Sequence, residues 1–329
     1  MGMHDDRMKA MLFEGPERIP VSVGILPAAW MRHREALREI VARHPALFGE
    51  DAGRDRDYDA VGGTYVAGEH VDAWGCVWQN LHTGMEAMVT GHPLPRREDV
   101  DTLVAPEEDI GFPHGFMYLR LCDLRGFEEA MIDFAEEPPQ LQKLIDVVLE
   151  YNMRQARIRL AGLESERATG RIVHFGDDLG MQRSLPMSPE KWRQYLKPCF
   201  ASIYGVFRDA GHYVYMHTDG HILEIIPDLA EAGVNVVNPQ IGANGLPGLV
   251  DACKGKVCVD LDLDRQLFPF ATPAELDRHV EEAITELGSS DGGLWIKAEI
   301  GEDVPLENVE AIFTAMEKYR EMYSVTAGA

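Results

Sequence analysis

A chain of 329 residues, 45% of them hydrophobic, has ample apolar material for a sizeable core, and its length suits two domains or one α/β barrel. Its 31 basic and 55 acidic residues leave a formal charge of −24. That charge repels nucleic-acid phosphates and anionic lipid headgroups, so neither nucleic acid nor a membrane is an expected partner.

The chain opens on a charged stretch, "MGMHDDRMKAMLFEG", unlike a signal peptide. No apolar run approaches the roughly 20 residues that span a bilayer. Further along, "RIPVSVG" (18–24) reads as a strand and "AAWMRHREALREIVARH" (28–44) as a helix. Residues 49–70, rich in Gly and Asp, read as a long loop, and such loops are often functional. "GCVWQN" (75–80) and "GFMYLRL" (115–121) read as strands, the latter followed by helices over 123–137 and 138–163. "RIVHFG" (171–176) reads as a strand before a helix over 188–211, with Ser188 as N-cap, Pro189 at the first helical position, a kink at Pro198 and Gly211 beyond the end.

The strand–helix units then tighten. "HYVYMHT" precedes "HILEIIPDLAEAG", "VNVVNP" precedes "GLPGLVDAC", "KVCVDLD" precedes "TPAELDRHVEEAITELG", and "GLWIKAE" precedes "PLENVEAIFTAMEKYREMY". Eight strands interleaved with helices predict a parallel α/β sheet, most simply one TIM barrel over 1–329; the alternative is an open doubly wound sheet. Neither GxGxxG nor GxxxxGK[ST] follows a strand, which removes the usual support for a nucleotide fold. The five cysteines (Cys76, Cys122, Cys199, Cys253, Cys258) are scattered, form no CxxC, and read as buried apolar residues in a reducing cytoplasm.

In a barrel the chemistry sits at the strand C-termini. The predicted ends carry Asp177 and Asp178, His217 and Asp219, Asn238, Asp260 and Asp262, and Glu299. His217 and Asp219, two residues apart, leave a strand on the same side and can converge on one point. Capping is the competing role for Asp219 (before 221–231) and for Asp177–Asp178 (before 188–208). His70, at the end of the long loop, is a further catalytic candidate. Trp30, Trp74 and Trp78 are candidates for lining a flat-ligand cleft, with core packing the competing role for at least two of them.

"FGDDLGMQRSLPMSPEKWRQYLKPCF" followed by "MHTDGHILEIIPDLAEAGVNVVNPQ" resembles the uroporphyrinogen decarboxylase-like family, which includes zinc-dependent, corrinoid-linked methyltransferases. "GGLWIKAEIGEDVPLENVEAI" resembles its last barrel unit, and the likeness is looser at "ERIPVSVGILPAAWMRH" and "GEHVDAWGCVW". The resemblance implies a single (β/α)8 domain with a funnel-like cleft, and often a homodimer. In the methyltransferase branch a strand-end His-x-Cys and a later Cys hold zinc, which activates a substrate thiol toward a cobalt-bound methyl group. His217 occupies the His position, Asp219 stands where the first Cys would be, and Glu299 falls near the second, giving the expected ligands of a divalent metal, zinc first.

The decarboxylase branch carries two arginines four apart; here Arg32 is present and Ala36 stands at the second position. Asp72 corresponds to the aspartate that binds the macrocycle's pyrrole NH groups. Thus Asp178, Asp72 and His70 are the expected catalytic residues, and Trp30, Arg32, Asp177 and Asn238 the expected substrate contacts. The expected activity is methyl transfer between a small-molecule donor or acceptor and a corrinoid on a carrier protein. Uroporphyrinogen decarboxylation, and a non-catalytic corrinoid- or tetrapyrrole-binding protein, stay open as alternatives.

Overall fold

The computed structural model describes residues 3–322. Its strands are β1 (Val21–Ile25), β2 (Gly68–Val71), β3 (Val77–Asn80), β4 (Met88–Gly91), β5 (Ile172–Gly176), β6 (Tyr213–His217), β7 (Val236–Asn238), β8 (Cys258–Asp262) and β9 (Leu294–Ile300). Contacts divide the described residues into two compact units: one from residues 3–68, Asn80–Ala87 and 239–322, the other from Glu69–Gln79 and Met88–Asn238.

In the first unit β1, β9 and β8 run parallel in that order, with Val23 opposite Ala298 and Leu261 opposite Ile296. All five β8 residues are buried, as in a parallel strand covered on both faces. The helices Pro273–Leu287 and Leu306–Arg320 pack together, and the first starts on a capping box between Thr272 and Glu275.

In the second unit β7, β6 and β5 run parallel in that order. Its core is aromatic: Phe175 of β5 meets Phe116 at 5.2 Å and Tyr204 at 5.0 Å between ring centroids. Six of the described strands are therefore parallel, three in each unit, alternating with helices in an α/β arrangement. A separate three-stranded sheet, order β2-β3-β4, pairs β3 with β4 antiparallel.

Two expected barrel strands fold otherwise. "GCVWQN" supplies β3 of the small antiparallel sheet. "GFMYLRL" supplies no strand: residues Tyr118–Arg125 are helical. Gly115 turns the chain at φ +76, and three amide groups at the helix start, on Met117, Tyr118 and Leu119, donate to the carboxylate of Asp177. That buried anion satisfies N–H groups that a helix start leaves open, and it outweighs the β propensity of the aromatic residues. The single helix expected over 188–211 is two, Pro189–Tyr195 and Lys197–Arg208, parted at Leu196 so that Pro198 sits in the first turn of the second. Ser188 does cap the first, accepting from the Lys191 amide at 3.3 Å. No helix among the described residues is long and apolar enough to cross a membrane.

Candidate functional site

The site is built in the second unit, where the strand pairing places Gly176, His217 and Asn238 in a row across the ends of β5, β6 and β7. The loops leaving β5 and β6 are laced together by amide donors: Leu179 to Thr218 Oγ1 at 2.9 Å, Gly180 to the Asp219 carbonyl at 3.2 Å, and His221 to the Met181 carbonyl at 2.8 Å. They cross where neither residue has a side chain. A Cβ on Gly180 would lie 2.5 Å from the His221 nitrogen, and one on Gly220 (φ +83) 2.4 Å from the Gly180 carbonyl. This crossing fixes Asp178 and Asp219 relative to His217.

Asp178 Oδ1 accepts the Asp219 amide at 3.0 Å, and its Oδ2 lies 3.1 Å from His114 Nε2. His217 Nδ1 lies 2.6 Å from Asn238 Oδ1, while its Nε2 faces Asp219 Oδ1 at 3.4 Å. With Nδ1–H donating to Asn238, Nε2 is the nitrogen that presents a lone pair to the site. The His114 and His217 rings approach to 5.5 Å. One donor atom each from His114, Asp178 and His217 lies within 4.8 Å of the others. Burial opposes the Asp178 charge, but the hydrogen bond and charge of His114 hold its carboxyl below the ordinary range. The same hydrogen bond raises His114 against the effect of burial.

The expected residues are divided by this geometry. His217, Asp219, Asp178 and Asn238 come together, with Asn238 fully buried against the His217 ring. Asp177 is fully buried and occupied by the helix amides named above, and it caps that helix rather than 188–208. Burial pushes it up to about 7 against the pull of those donors. The helical turns after Asp219 begin later than expected, at Leu223–Ile225 and Ile226–Glu231, and their N-cap residues Ile222 and Ile225 make no side-chain cap.

Asp72 receives the amides of Trp74 (3.0 Å) and Cys76 (2.9 Å), the indole of Trp78 (3.0 Å) and Arg120 Nη1 (2.6 Å). Four donors fill the acceptor capacity of one carboxylate. His70 is exposed and stacks on Trp78 at 6.1 Å. In the first unit Trp30 is buried between Tyr58, stacked at 6.2 Å, and the Arg56 guanidinium at 4.2 Å, whereas Arg32 is exposed. Glu299 also belongs to that unit and is ion-paired there with Arg265. The five cysteines are buried and free; burial pushes Cys76, Cys122, Cys199 and Cys253 up to about 12, leaving them protonated.

His114 is the residue the sequence reading lacked. It sits in "GFPHG", just before a segment read as a strand, where a search of strand C-terminal ends does not reach. Its trace in the sequence is indirect. Gly176 carries no Cβ, and one placed there would lie 2.6 Å from His114 Nδ1.

A solved methyltransferase from Methanosarcina mazei has this fold, with a TM-score of 0.64 and 19% identity over 96% of this chain and 98% of that one. At that identity the likeness is one of fold. A dihydropteroate synthase from Xanthomonas albilineans (17% identity, 49% and 58% coverage) and a 3-keto-D-glucoside 4-epimerase from E. coli (11%, 65% and 99%) reach TM-scores of only 0.32 and 0.33, and carry no argument. No curated protein sequence matches. The uroporphyrinogen decarboxylase family model matches residues 120–319, more than half of the 329, and those residues include β5 to β9 and all of the strand-end cluster except His114. The chain belongs to the uroporphyrinogen decarboxylase family.

Proposed function

We propose that this protein is a cytoplasmic methyltransferase that moves a methyl group between a small molecule and a corrinoid held by a carrier protein. In this reading the six parallel strands belong to a single barrel-type domain in which two of eight strand positions are irregular. A divalent metal, zinc first, is held at His217 together with a carboxylate from the loops after β5 and β6. The observation that carries the reading is the convergence of His217 with Asp178 and Asp219 at the ends of β5 and β6, in a chain of this family.

The donor set fits a divalent cation: an imidazole whose far nitrogen is held by Asn238, beside carboxylates of two laced loops. When bound, such a metal lowers the pKa of a coordinated thiol or hydroxyl, so that the acceptor attacks a methyl group as an anion. The chain's own residues supply the rest. Asn238 fixes the His217 tautomer. The amide of Asp219 holds Asp178 in place, and the Asp219 carboxylate, 3.4 Å from His217 Nε2, would receive the proton the acceptor gives up.

Decarboxylation of uroporphyrinogen is less well supported, because the Asp72 carboxylate that would receive pyrrole NH groups is already filled by four donors. The test is a spectrum. Zinc-loaded protein incubated with methylcobalamin and a panel of thiols should convert the methylcobalamin band to that of cob(I)alamin or its oxidised product, faster than zinc and thiol alone. No acceleration by the protein with any thiol, together with turnover of uroporphyrinogen, would replace this reading with the decarboxylase one.

A further inference from the structure

Resting on the metal half of that reading, we infer that the cation is held by two histidines and one aspartate, His114, Asp178 and His217, with His114 contributed by the loop before helix Tyr118–Arg125. Asp219 then stays outside the donor set. The family pattern seen in the sequence offered one histidine. The structure supplies a second from a segment with no metal motif.

Four observations carry this. Donor atoms of the three side chains lie within 4.8 Å of one another, against roughly 3.4 Å between neighbouring ligands on a tetrahedral zinc with bonds near 2.1 Å. Closing the difference takes only side-chain rotation. The His114 side chain is 48% exposed, so it is free to make that rotation. Gly176 leaves the space His114 needs, since a Cβ would stand 2.6 Å from its Nδ1. Asn238 engages the far nitrogen of His217, and the Asp219 amide engages the far oxygen of Asp178, so two of the three ligands are already oriented by neighbours. Two imidazoles and one carboxylate leave an open position, the arrangement of catalytic rather than structural zinc, and they also accept cobalt, iron or manganese.

Gly176→Ala separates a ligand role from damage to the fold, because the three atoms nearest the added methyl all belong to the movable His114 ring. Chelator-treated protein is titrated with zinc chloride by calorimetry, and with cobalt chloride while recording the visible d–d bands, in enough sodium chloride to screen loose attraction to an acidic surface. Wild type should take one equivalent and show a four- or five-coordinate cobalt spectrum. His114→Ala and Gly176→Ala should each weaken binding at least tenfold, with unchanged circular dichroism, while Asp219→Asn changes it little. Full affinity in His114→Ala with loss in Asp219→Asn would overturn this ligand set and leave the metal reading intact. No stoichiometric binding by wild type would overturn the ligand set and the metal half of the reading together. The methylcobalamin assay tests methyl transfer separately.

Discussion

Asp177 and Asp178 are neighbours in the chain with opposite employments. Asp177 turns inward and spends both oxygens on three helix amides; Asp178 turns outward and meets His114. A third acid in the same unit, Asp123, has a weaker position. Its side chain is 17% exposed, and Arg120, which lies 3.9 Å from it, is committed to Asp72 at 2.6 Å. Burial pushes Asp123 up to about 6, with Arg120 opposing and Asp72 assisting. Unfolded, the group titrates near about 3.9. Between those values the folded chain holds a proton that the unfolded chain has released, so this group's contribution to stability falls as pH rises from about 4 to about 6 and is flat above. Asp123→Asn removes the effect. The variant is expected to be more stable than wild type by roughly 1–2 kcal/mol near neutral pH, and no more stable near about pH 4, in urea melts at the two pH values. The sequence showed three acids of one type. Which of them is filled, which faces the strand-end cluster and which is strained depends on partners 40 to 60 positions away, as Asp177 with Met117 and Asp178 with Asp219 illustrate.

At the scale of elements, the readable parts were those in which local chemistry and tertiary context agree. The β5, β6, β8 and β9 runs are apolar and bounded by turn residues, and the Ser188 cap and the Thr272 capping box start their helices where expected. "GFMYLRL" was misread because its fate is set by a buried aspartate downstream. His114 was lost with it. The loop crossing at Gly180 and Gly220 was not legible either, since a glycine required by contact looks like a glycine in any turn. The same substitution at two glycines tells them apart. Gly220→Ala places a Cβ 2.4 Å from Gly180 backbone atoms at φ +83, so a loss of about 3 kcal/mol or more is expected, with the site disrupted. Gly162→Ala, exposed within helix Pro139–Ser165 and with nothing within 4 Å of the new methyl, should gain roughly 0.5–1 kcal/mol. Thermal melts of the two variants should move in opposite directions. A tolerated Gly220→Ala would mean that the loops are not locked where the site needs them.

For the whole molecule, the dominant physical fact is the acidic excess. Even with every one of the 31 basic residues paired to a carboxylate, 24 of the 55 acids stay unmatched. Surface pairs such as Lys197 with Glu231 and Lys318 with Asp277 each add little to stability. Such pairs act across contact distances of about 3 Å, well inside the roughly 10 Å screening length of 0.1 M salt, so moderate salt weakens them little. Repulsion among the unmatched acids acts over longer separations, where screening is effective, and it disfavours the compact state. The two responses to salt therefore have opposite signs, and the repulsive one is larger. Raising sodium chloride from about 20 mM to about 300 mM at neutral pH should raise the melting temperature by several degrees. Near the sequence isoelectric point of about 4.8 the net charge vanishes and the rise should disappear. A melting temperature that falls with salt at neutral pH would mean that the ion pairs, and not the excess of acids, set the electrostatic balance of the fold.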